Sequence, residues 1–488
     1  MIKTLSISLA AASLCLGLMA DPAHAQEASP PEPYALSDAQ KTTVNRLIDR
    51  GLADKTAYGV LESLTTQIGP RLGGSDAEAR ARDWGVKKLK SLGFKNVRVE
   101  PFTMPYWART HEEATIHAPF PQHLHVTALG NSVATPKGGV RGTVVRFETL
   151  EDLREAPMDG FTGKIIFVDE KMTRTQDGSG YGWAVQKRSG AANEAGKRGA
   201  LAAVIRSVGT DHDRRSPHTG NMRYEDGIPK VPAVALSNVD ADQVTRALQY
   251  AEETDAGAVE MFLDIGVETK AEVTSGNVIG EIPGQTDELI VVGGHLDSWD
   301  LGTGAIDDGA GVAITVAAAK LVGDLRGKPR RTIRVIMWGA EEVGLLGARA
   351  YAEQHKDTLD RHMLAFESDF GAGPIWQLQT RFGEEDLGKA ATMTRMLRRI
   401  GVGPGDNAAS GGPDVLPLRF NGVPVLTLKQ DGSDYFDLHH TPEDTLDKVD
   451  PAALAQNVAA WAATIFMASE MTGDFRPDPD STTSVSRD

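Results

Sequence analysis

Short, continuously apolar runs alternate with helix-like segments in the second half of the chain. The runs at residues 289–292, 332–338 and 362–366 are typical of strands that are buried on both faces of a parallel sheet. Residues 312–322 and 451–472 have the apolar spacing of helices. This alternation predicts an α/β fold with a mixed, largely parallel sheet flanked by helices.

The first half has a different pattern. Helical patterns cover residues 36–92 and break at Gly51 and at a glycine-rich loop, residues 69–74, before a predicted strand at residues 96–102. Further on, predicted strands and one helix indicate a small α/β module inserted into a larger domain; they lie at residues 143–147, 164–168, 202–205 and 191–198. We expect the larger domain at residues 36–130 and 273–473, the insert at residues 131–272 and a disordered polar tail at residues 474–488.

The first 25 residues have the pattern of a signal peptide. Lys3 precedes an apolar stretch at residues 5–20, and Ala23-His24-Ala25 fits the small-x-small cleavage rule. A membrane anchor is the weaker alternative, because the stretch is shorter than the roughly 20 residues that a spanning helix needs. The sequence therefore predicts an exported protein, periplasmic or secreted, whose mature form lacks Cys15.

Composition mainly excludes classes of function. The chain has 488 residues, one cysteine and a formal charge of −16 from 51 basic and 67 acidic residues. A single cysteine excludes an internal disulfide and a thiolate zinc site. The acidic surplus argues against binding to nucleic acid or to an anionic membrane. Function must therefore come from a local site.

Imidazoles and carboxylates cluster where the predicted strands end. They are His295, Asp297, Asp307, Asp308, Glu341, Glu342, Asp369, His439 and His440. Taken singly, each has an ordinary explanation as a helix cap, a turn residue or a solvated loop residue. Together they lie at the edge where open α/β sheets bind their ligands, because the carboxyl ends of parallel strands meet there.

The donor types indicate a pair of divalent metal ions. Paired glutamates at a strand end are costly to bury without a cation. Two histidines and several carboxylates without sulfur favour zinc, with manganese and cobalt as open alternatives. We expect the carboxylate of Asp297 to accept the second N–H of the His295 ring and to orient it.

The order of these motifs resembles the M28 family of metallopeptidases, the co-catalytic zinc aminopeptidases. The matching motifs are His295-x-Asp297, Asp307-Asp308-Gly309-Ala310-Gly311, Glu341-Glu342, Glu367-Ser368-Asp369 and His440-Thr441-x-x-Asp444-Thr445. Residues 68–75 and 101–109 are also similar to one branch of the family, and the likeness extends over about residues 36–471. The resemblance implies a zinc-peptidase fold with an inserted protease-associated domain.

The resemblance also implies a role for each residue. It implies two Zn²⁺ ions bridged by Asp307, with His295 and Asp369 completing one site and Glu342 and His440 the other. Glu341 would be the general base and Asp297 the residue that orients His295. His439 is either a hydrogen-bond donor to the transition state or a loop residue. A peptide substrate and a homodimer are further implications.

These expectations give one leading hypothesis and two alternatives. The leading hypothesis is a di-metal exopeptidase that hydrolyses dipeptides or short peptides with a water activated by Glu341. The alternatives are a catalytically inactive peptide-binding relative and a di-metal phosphoesterase. The sequence leaves open the preferred side chain and whether the amino or the carboxyl end is recognised.

Overall fold

The computed structural model describes residues 32–476, so the predicted signal peptide lies outside the described residues. The first elements are α1 (Asp38–Leu52), α2 (Thr56–Gln67), α3 (Asp76–Ser91) and β1 (Lys95–Ala118). Ser37 starts α1 with a capping box, in which its hydroxyl and the Gln40 side chain each accept a hydrogen bond from the other residue's main-chain N–H. The strand predicted at residues 96–102 is present, but it continues to Ala118.

The next elements form the small α/β module. They are β2 (Gln122–Leu124), β3 (Val126–Ala128), β4 (Val140–Phe147), α4 (Leu150–Glu155), β5 (Lys164–Val168), α5 (Ser179–Ala184), α6 (Gln186–Lys197), β6 (Ala202–Arg206), β7 (Ala233–Leu236) and α7 (Asn238–Thr254). The predicted strands of the module are confirmed as β4, β5 and β6, and its predicted helix as the end of α6. We call residues 119–259 the inserted module. The domain limits at residues 131 and 272 and the protease-associated assignment stay predictions.

The chain then returns to the larger domain through β8 (Glu260–Ile282). The elements that follow are β9 (Leu289–His295), a π-helical turn (Ala305–Gly309), α8 (Ala310–Gly323), β10 (Thr332–Trp338), α9 (Leu346–Gln354), β11 (His362–Glu367), β12 (Ile375–Arg381), α10 (Leu387–Leu397), β13 (Gly403–Pro404), α11 (Leu416–Phe420), β14 (Val425–Gln430), α12 (Tyr435–Leu438) and α13 (Pro451–Glu470). Short 3-10 turns lie at Lys356–Arg361, Glu384–Asp386, Arg398–Ile400 and Leu446–Lys448.

One mixed sheet runs through both parts of the molecule. Its strand order is β13-β12-β14-β11-β9-β10-β8-β4-β5-β6-β7-β3. Strands β14, β11, β9 and β10 are parallel, whereas β12 and β8 run antiparallel to their neighbours β14 and β10. The expectation of a mixed α/β sheet flanked by helices is confirmed.

A two-stranded antiparallel ribbon joins the inserted module to the larger domain. Strand β1 pairs with β8 from Lys95 opposite Glu281 to Ala118 opposite Glu260, with a few irregularities in register. The module is therefore attached by paired strands, and the main-chain hydrogen bonds of the ribbon hold it in place.

Apolar helices cover the parallel strands on one side. Helices α1, α8 and α13 pack against each other there, and Trp461 of α13 stacks on Phe366 of β11 with ring centroids 4.7 Å apart. Within residues 32–476, α13 is the one helix long and apolar enough to cross a membrane, and 83% of its apolar window is buried inside the protein. A core helix has this property, since burying each large apolar side chain contributes about 1.5–3 kcal/mol.

The start of the predicted disordered tail is packed, which corrects that expectation for residues 474–476. Phe475 is fully buried against Phe382, with ring centroids 4.9 Å apart. The Arg476 guanidinium donates hydrogen bonds to the main-chain oxygens of Leu359 and His362. The polar composition of the tail concealed this anchor, because it depends on one aromatic side chain among polar residues.

Candidate metal centre

Adjacent strands bring the candidate residues to one edge of the sheet. In the parallel register, His295 of β9 lies opposite Trp338 of β10, and Gly293 lies opposite Glu367 of β11. The glutamate pair follows β10, and Asp369 follows β11. Gly294 is required here, because a Cβ at that position would lie 2.4 Å from the Asp308 carboxylate.

Asp307 lies between two imidazoles. Its Oδ1 is 3.1 Å from Nε2 of His295, and its Oδ2 is 3.1 Å from Nε2 of His440. The Asp444 carboxylate fixes the main chain at this point by accepting the N–H groups of Ile306 at 2.6 Å and of Asp307 at 3.2 Å. Each carboxylate oxygen of Asp307 is thus directed to a different set of candidate metal ligands.

The remaining predicted ligands complete these two groups. On one side, Asp369 lies 3.5 Å from Nε2 of His295, and Asp308 lies within the same cluster. On the other side, Glu342 lies 3.0 Å from Nε2 of His440. Two ligands that bind one tetrahedral ion at about 2.0–2.1 Å stand about 3.3 Å apart, so these separations suit donors that share an ion. The structure brings all five predicted metal ligands together: His295, Asp307, Glu342, Asp369 and His440.

The charges of the cluster fit divalent cations. Oε1 of Glu342 is buried, and no group within residues 32–476 donates a hydrogen bond to it. Burial raises the pKa of Asp308 well above its usual range, and the negative charges of Asp369 and Asp307 add to this effect against the opposing charge of His295. Desolvation likewise raises the pKa of Glu341 well above its usual range. Buried carboxylates in excess are stabilised by metal ions, and nitrogen and oxygen donors without sulfur suit zinc, manganese or cobalt.

Asp297 acts differently from the prediction. Nδ1 of His295 lies 2.9 Å from the main-chain oxygen of Asp297 and 3.8 Å from its carboxylate. The carboxylate instead accepts the main-chain N–H of Glu341 at 3.0 Å and of Glu342 at 3.3 Å. The expected carboxylate–imidazole hydrogen bond is therefore wrong, because two main-chain N–H groups in the turn after β10 donate to the carboxylate oxygens.

The inserted module holds His440. Nδ1 of His440 lies 3.2 Å from the main-chain oxygen of Thr219, and its backbone has a φ of +63°, a conformation rare outside glycine. His439 stacks on His440 with ring centroids 3.5 Å apart, and its Nε2 is 3.6 Å from Asp307. Burial and the nearby charge of His440 hold the pKa of His439 well below its usual range. Of the two rings, His440 is the one that contacts Glu342, which favours it as the ligand.

Sequence reasoning missed the roles of two residues that support the cluster. Arg71 is fully buried and donates hydrogen bonds to the main-chain oxygens of Leu296, Thr303 and Gly304. These oxygens lie at the two ends of the loop that joins β9 to the π-helical turn. Its position within the family-like segment, residues 68–75, was an available signal. Thr219 gave none, because a main-chain oxygen contributed from another module has no local sequence pattern.

A cavity of about 470 Å³ opens over the cluster. Its floor holds Asp307, Glu341, Glu342, Asp369 and His440, and its apolar wall holds Phe370, Tyr435 and Phe436. Tyr181, Arg188 and Asn221 of the inserted module line the same cavity, and Tyr181 stacks on Phe436 with ring centroids 4.8 Å apart. The size lies within the range of small-molecule sites, so the cavity suits a small ligand.

Comparisons with known proteins agree with this arrangement. The sequence pattern of Peptidase family M28 matches residues 277–465. Carboxypeptidase Q of Mus musculus is 32% identical over 436 residues, covering 89% of this chain and 90% of that protein. The crystal structure of a peptidase M28 precursor from Shewanella amazonensis is 49% identical, covers 91% of this chain and 99% of that one, and superposes with a TM-score of 0.88. A zinc aminopeptidase from Bacillus subtilis shares the fold, with 20% identity, a TM-score of 0.62 and coverage of 86% and 98%.

The fold, the buried cluster and these similarities define a metallopeptidase. The chain belongs to peptidase family M28.

Proposed function

We propose that the protein is a di-metal exopeptidase that hydrolyses dipeptides or short peptides. The observation that carries this proposal is the position of Asp307, whose two oxygens lie 3.1 Å from two different imidazoles. A carboxylate in that position suits a bridge between two ions. Asp307 would be the shared ligand, with His295 and Asp369 on one side and Glu342 and His440 on the other.

Zinc is the proposed metal, with manganese and cobalt as alternatives. The donor set supports this choice, and the Bacillus subtilis relative of the same fold is a zinc aminopeptidase. When bound, the ions would supply Lewis acidity that lowers the pKa of water and polarises the peptide carbonyl.

Glu341 is the proposed general base. It lines the cavity, but it is absent from the groups of described residues whose donor atoms converge within 4.8 Å. The main-chain N–H of Glu341 donates a hydrogen bond to the Asp297 carboxylate at 3.0 Å. Ala340, the preceding residue, has a φ of +57°, so the chain turns sharply before Glu341. Glu341 can therefore accept a proton from water and pass it to the leaving amine, while Glu342 next to it acts as a ligand.

The residues that line the cavity favour short peptides as substrates. The inserted module contacts the metal cluster at His440 and also lines the cavity, so it bounds part of the space for a substrate. A long peptide in an extended conformation would need an open groove, because each residue adds about 3.3–3.6 Å.

Two further properties belong to the proposal. Export is proposed from residues 1–25, and the N-terminal sequence of the protein recovered outside the cytoplasm would test it. A homodimer is proposed from the resemblance to relatives, and light scattering on purified protein would test that.

The central test combines metal analysis with a dipeptide panel. Purified protein should hold two metal ions per chain and cleave dipeptides. Glu341→Gln should keep both ions and lose at least about 100-fold in kcat, as expected when a positioned general base is removed. The exposed Glu253→Gln on α7 is the matched control and should behave like the wild type.

Each other outcome would contradict part of the proposal. Retained turnover in Glu341→Gln would exclude Glu341 as the base. Binding of peptides without cleavage would favour an inactive relative, and cleavage of phosphate esters alone would favour a phosphoesterase. A stoichiometry of one ion would exclude a bridging role for Asp307.

A further inference from the structure

Arg109 is a largely buried cation at a point where three parts of the molecule meet. It lies on β1 of the ribbon, and only 8% of its side chain is exposed. Its guanidinium forms an ion pair at 3.0 Å with Asp300, in the loop that joins β9 to the π-helical turn. It also donates a hydrogen bond at 3.0 Å to the hydroxyl of Thr219 in the inserted module. One side chain therefore connects the ribbon, this loop and the module.

Two tryptophan rings contact the guanidinium. The Cζ atom of Arg109 lies 5.5 Å from the ring centroid of Trp107 and 5.7 Å from that of Trp299, within the range of cation–π interactions. Trp299 is buried, and a Cβ on Gly130 would lie 2.3 Å from its ring. The Trp299 ring is thus fixed between the cation and the backbone of the module.

Both Thr219 and Trp299 contact the proposed ligand His440. The centroid of the Trp299 ring lies 5.8 Å from that of the His440 ring, and the main-chain oxygen of Thr219 lies 3.2 Å from Nδ1. The Thr219 hydroxyl accepts from Arg109 and donates to the main-chain oxygen of Ala128 at 2.9 Å, so both contacts fix this residue. An acceptor for the Nδ1 proton sets the orientation of an imidazole that binds a metal ion through Nε2.

The other proposed metal site is held by different contacts. Nδ1 of His295 lies 2.9 Å from the main-chain oxygen of Asp297, two residues further along the same loop. Asp369 follows β11, which pairs with β9. These contacts come from the larger domain alone, so a change at Arg109 should affect the His440 site first.

We propose that Arg109 is a positioning residue for the metal ion that His440 binds, and that it acts through Thr219 and Trp299. This inference rests on the two metal ions of the proposed function and is independent of the substrate. Without the guanidinium, the Thr219 oxygen and the Trp299 ring lose a shared contact, and the His440 ring loses its fixed orientation. The ion at His295 keeps its own ligands.

The test measures the affinities of the two ions separately. Metal-free protein titrated with Co²⁺ in a calorimeter should show two binding steps, and His440→Ala identifies the step that belongs to its site. Arg109→Met should weaken that step by about 10- to 100-fold, shift the absorption bands of the Co²⁺ bound there and leave the other step unchanged. Arg109→Lys should retain part of the affinity, because it keeps the charge beside Asp300 but lacks the fork that also contacts Thr219.

A double-mutant cycle tests whether the effect depends on Thr219. Thr219→Val removes the hydroxyl but keeps the main-chain oxygen, and it should weaken the same binding step. The double variant should lose less affinity than the product of the two single losses, because both substitutions remove the same contact. Arg141→Met is the control and should change neither step, since Arg141 is an exposed residue on β4 that pairs with Glu260.

Three results would overturn the role of Arg109. They are unchanged binding of both ions in Arg109→Met, an equal weakening of both steps, and independent effects of Arg109→Met and Thr219→Val in the cycle. If Arg109→Met fails to fold by denaturant unfolding, Thr219→Val alone decides, and unchanged binding in that variant overturns the proposal. A single ion in the wild type would overturn the proposed two-ion centre and this inference with it, whereas the other results would overturn this inference alone.

Discussion

The main-chain oxygen of Thr219 lies 3.2 Å from Nδ1 of His440, and the N–H of Thr219 donates to the main-chain oxygen of His440 at 3.1 Å. A backbone segment of the inserted module thus holds both the ring and the main chain of a proposed metal ligand. The module therefore takes part in the metal centre as well as in the cavity wall.

His218 tests this coupling. Its ring lies 2.7 Å from the main-chain oxygen of His439 and 2.7 Å from Asp211, and all three residues are buried. His218→Ala should lower the affinity for the metal ion at His440 and destabilise the fold by about 1–3 kcal/mol, because buried polar groups lose their partners. Metal titration and denaturant unfolding would measure both effects. The exposed His117→Ala on β1 should change neither, and full metal affinity in His218→Ala would contradict the coupling.

Asp297→Asn tests the positioning of the glutamate pair. The amide keeps the shape of the side chain but directs an NH₂ group at one of two main-chain N–H groups, so Glu341 and Glu342 should shift. We expect turnover to fall by about 10- to 100-fold, as for other residues that orient ligands. Steady-state kinetics and metal analysis would check this, with the exposed Asp159→Asn as control. Unchanged kcat would show that the two hydrogen bonds do not position Glu341.

Arg71→Met tests whether Arg71 stabilises the loop between β9 and the π-helical turn. The substitution removes the hydrogen-bond donor from the buried main-chain oxygens of Leu296 and Gly304 and from the half-buried oxygen of Thr303. A loss of about 2–5 kcal/mol in unfolding free energy is expected. Denaturant unfolding would measure it against Arg80→Met, an exposed arginine on α3. If Arg71→Met lost no more unfolding free energy than Arg80→Met, the loop would hold its conformation without Arg71.

His362 predicts a specific sensitivity to acid. Burial lowers its pKa to about 4, although a hydrogen bond to the main-chain oxygen of Thr358 partly opposes this. Its Nε2 lies 2.9 Å from the Tyr351 hydroxyl, which already accepts a hydrogen bond from Arg334 at 2.7 Å. The hydroxyl can therefore donate to a neutral His362, and protonation of the ring removes that bond.

The sign of the effect follows from linkage. Between the unfolded pKa of about 6.5 and the folded pKa of about 4, the unfolded chain binds a proton that the folded protein does not. Stability from this group is thus present above pH 6.5 and is lost as the pH falls, by up to about 1.4 kcal/mol per pH unit. The unfolding free energy, measured with denaturant from pH 7 to pH 4, should depend less steeply on pH in His362→Asn than in wild type or in the control His117→Asn. Equal slopes would contradict the assignment.

The parts of the fold that sequence predicted best are the central strands. Residues 332–338 and 362–366 are mostly apolar because they are buried on both faces, so the sequence alone marks them. Three candidate ligands were found for a related reason, since His295 ends β9 and Glu342 and Asp369 follow β10 and β11. Asp307 and His440 lie beyond a loop and a helix, and the family resemblance marked them. The full extent of β1 was missed, because residues 109–113 are mostly polar and lie on a ribbon with one side largely exposed.

The contacts between distant segments could not be predicted. Arg188 has the sequence pattern of an ordinary helix-surface arginine, and only the fold places it over Gly220 and beside His440. The carboxylate of Asp297 was assigned to the nearest imidazole, whereas the fold presents to it the main-chain N–H groups of Glu341 and Glu342, in the turn after β10. Both cases depend on backbone groups that carry no residue-type signal.

The ribbon of β1 and β8 has a consequence for biosynthesis. During translation β1 leaves the ribosome long before β8, because the whole inserted module is encoded between them. Until β8 is made, β1 can pair with β2 alone, and most of its backbone groups stay available to other chains. The nascent protein thus carries an open strand edge during synthesis of the module. Because the paired strands are far apart in sequence, we expect the ribbon to close late in folding.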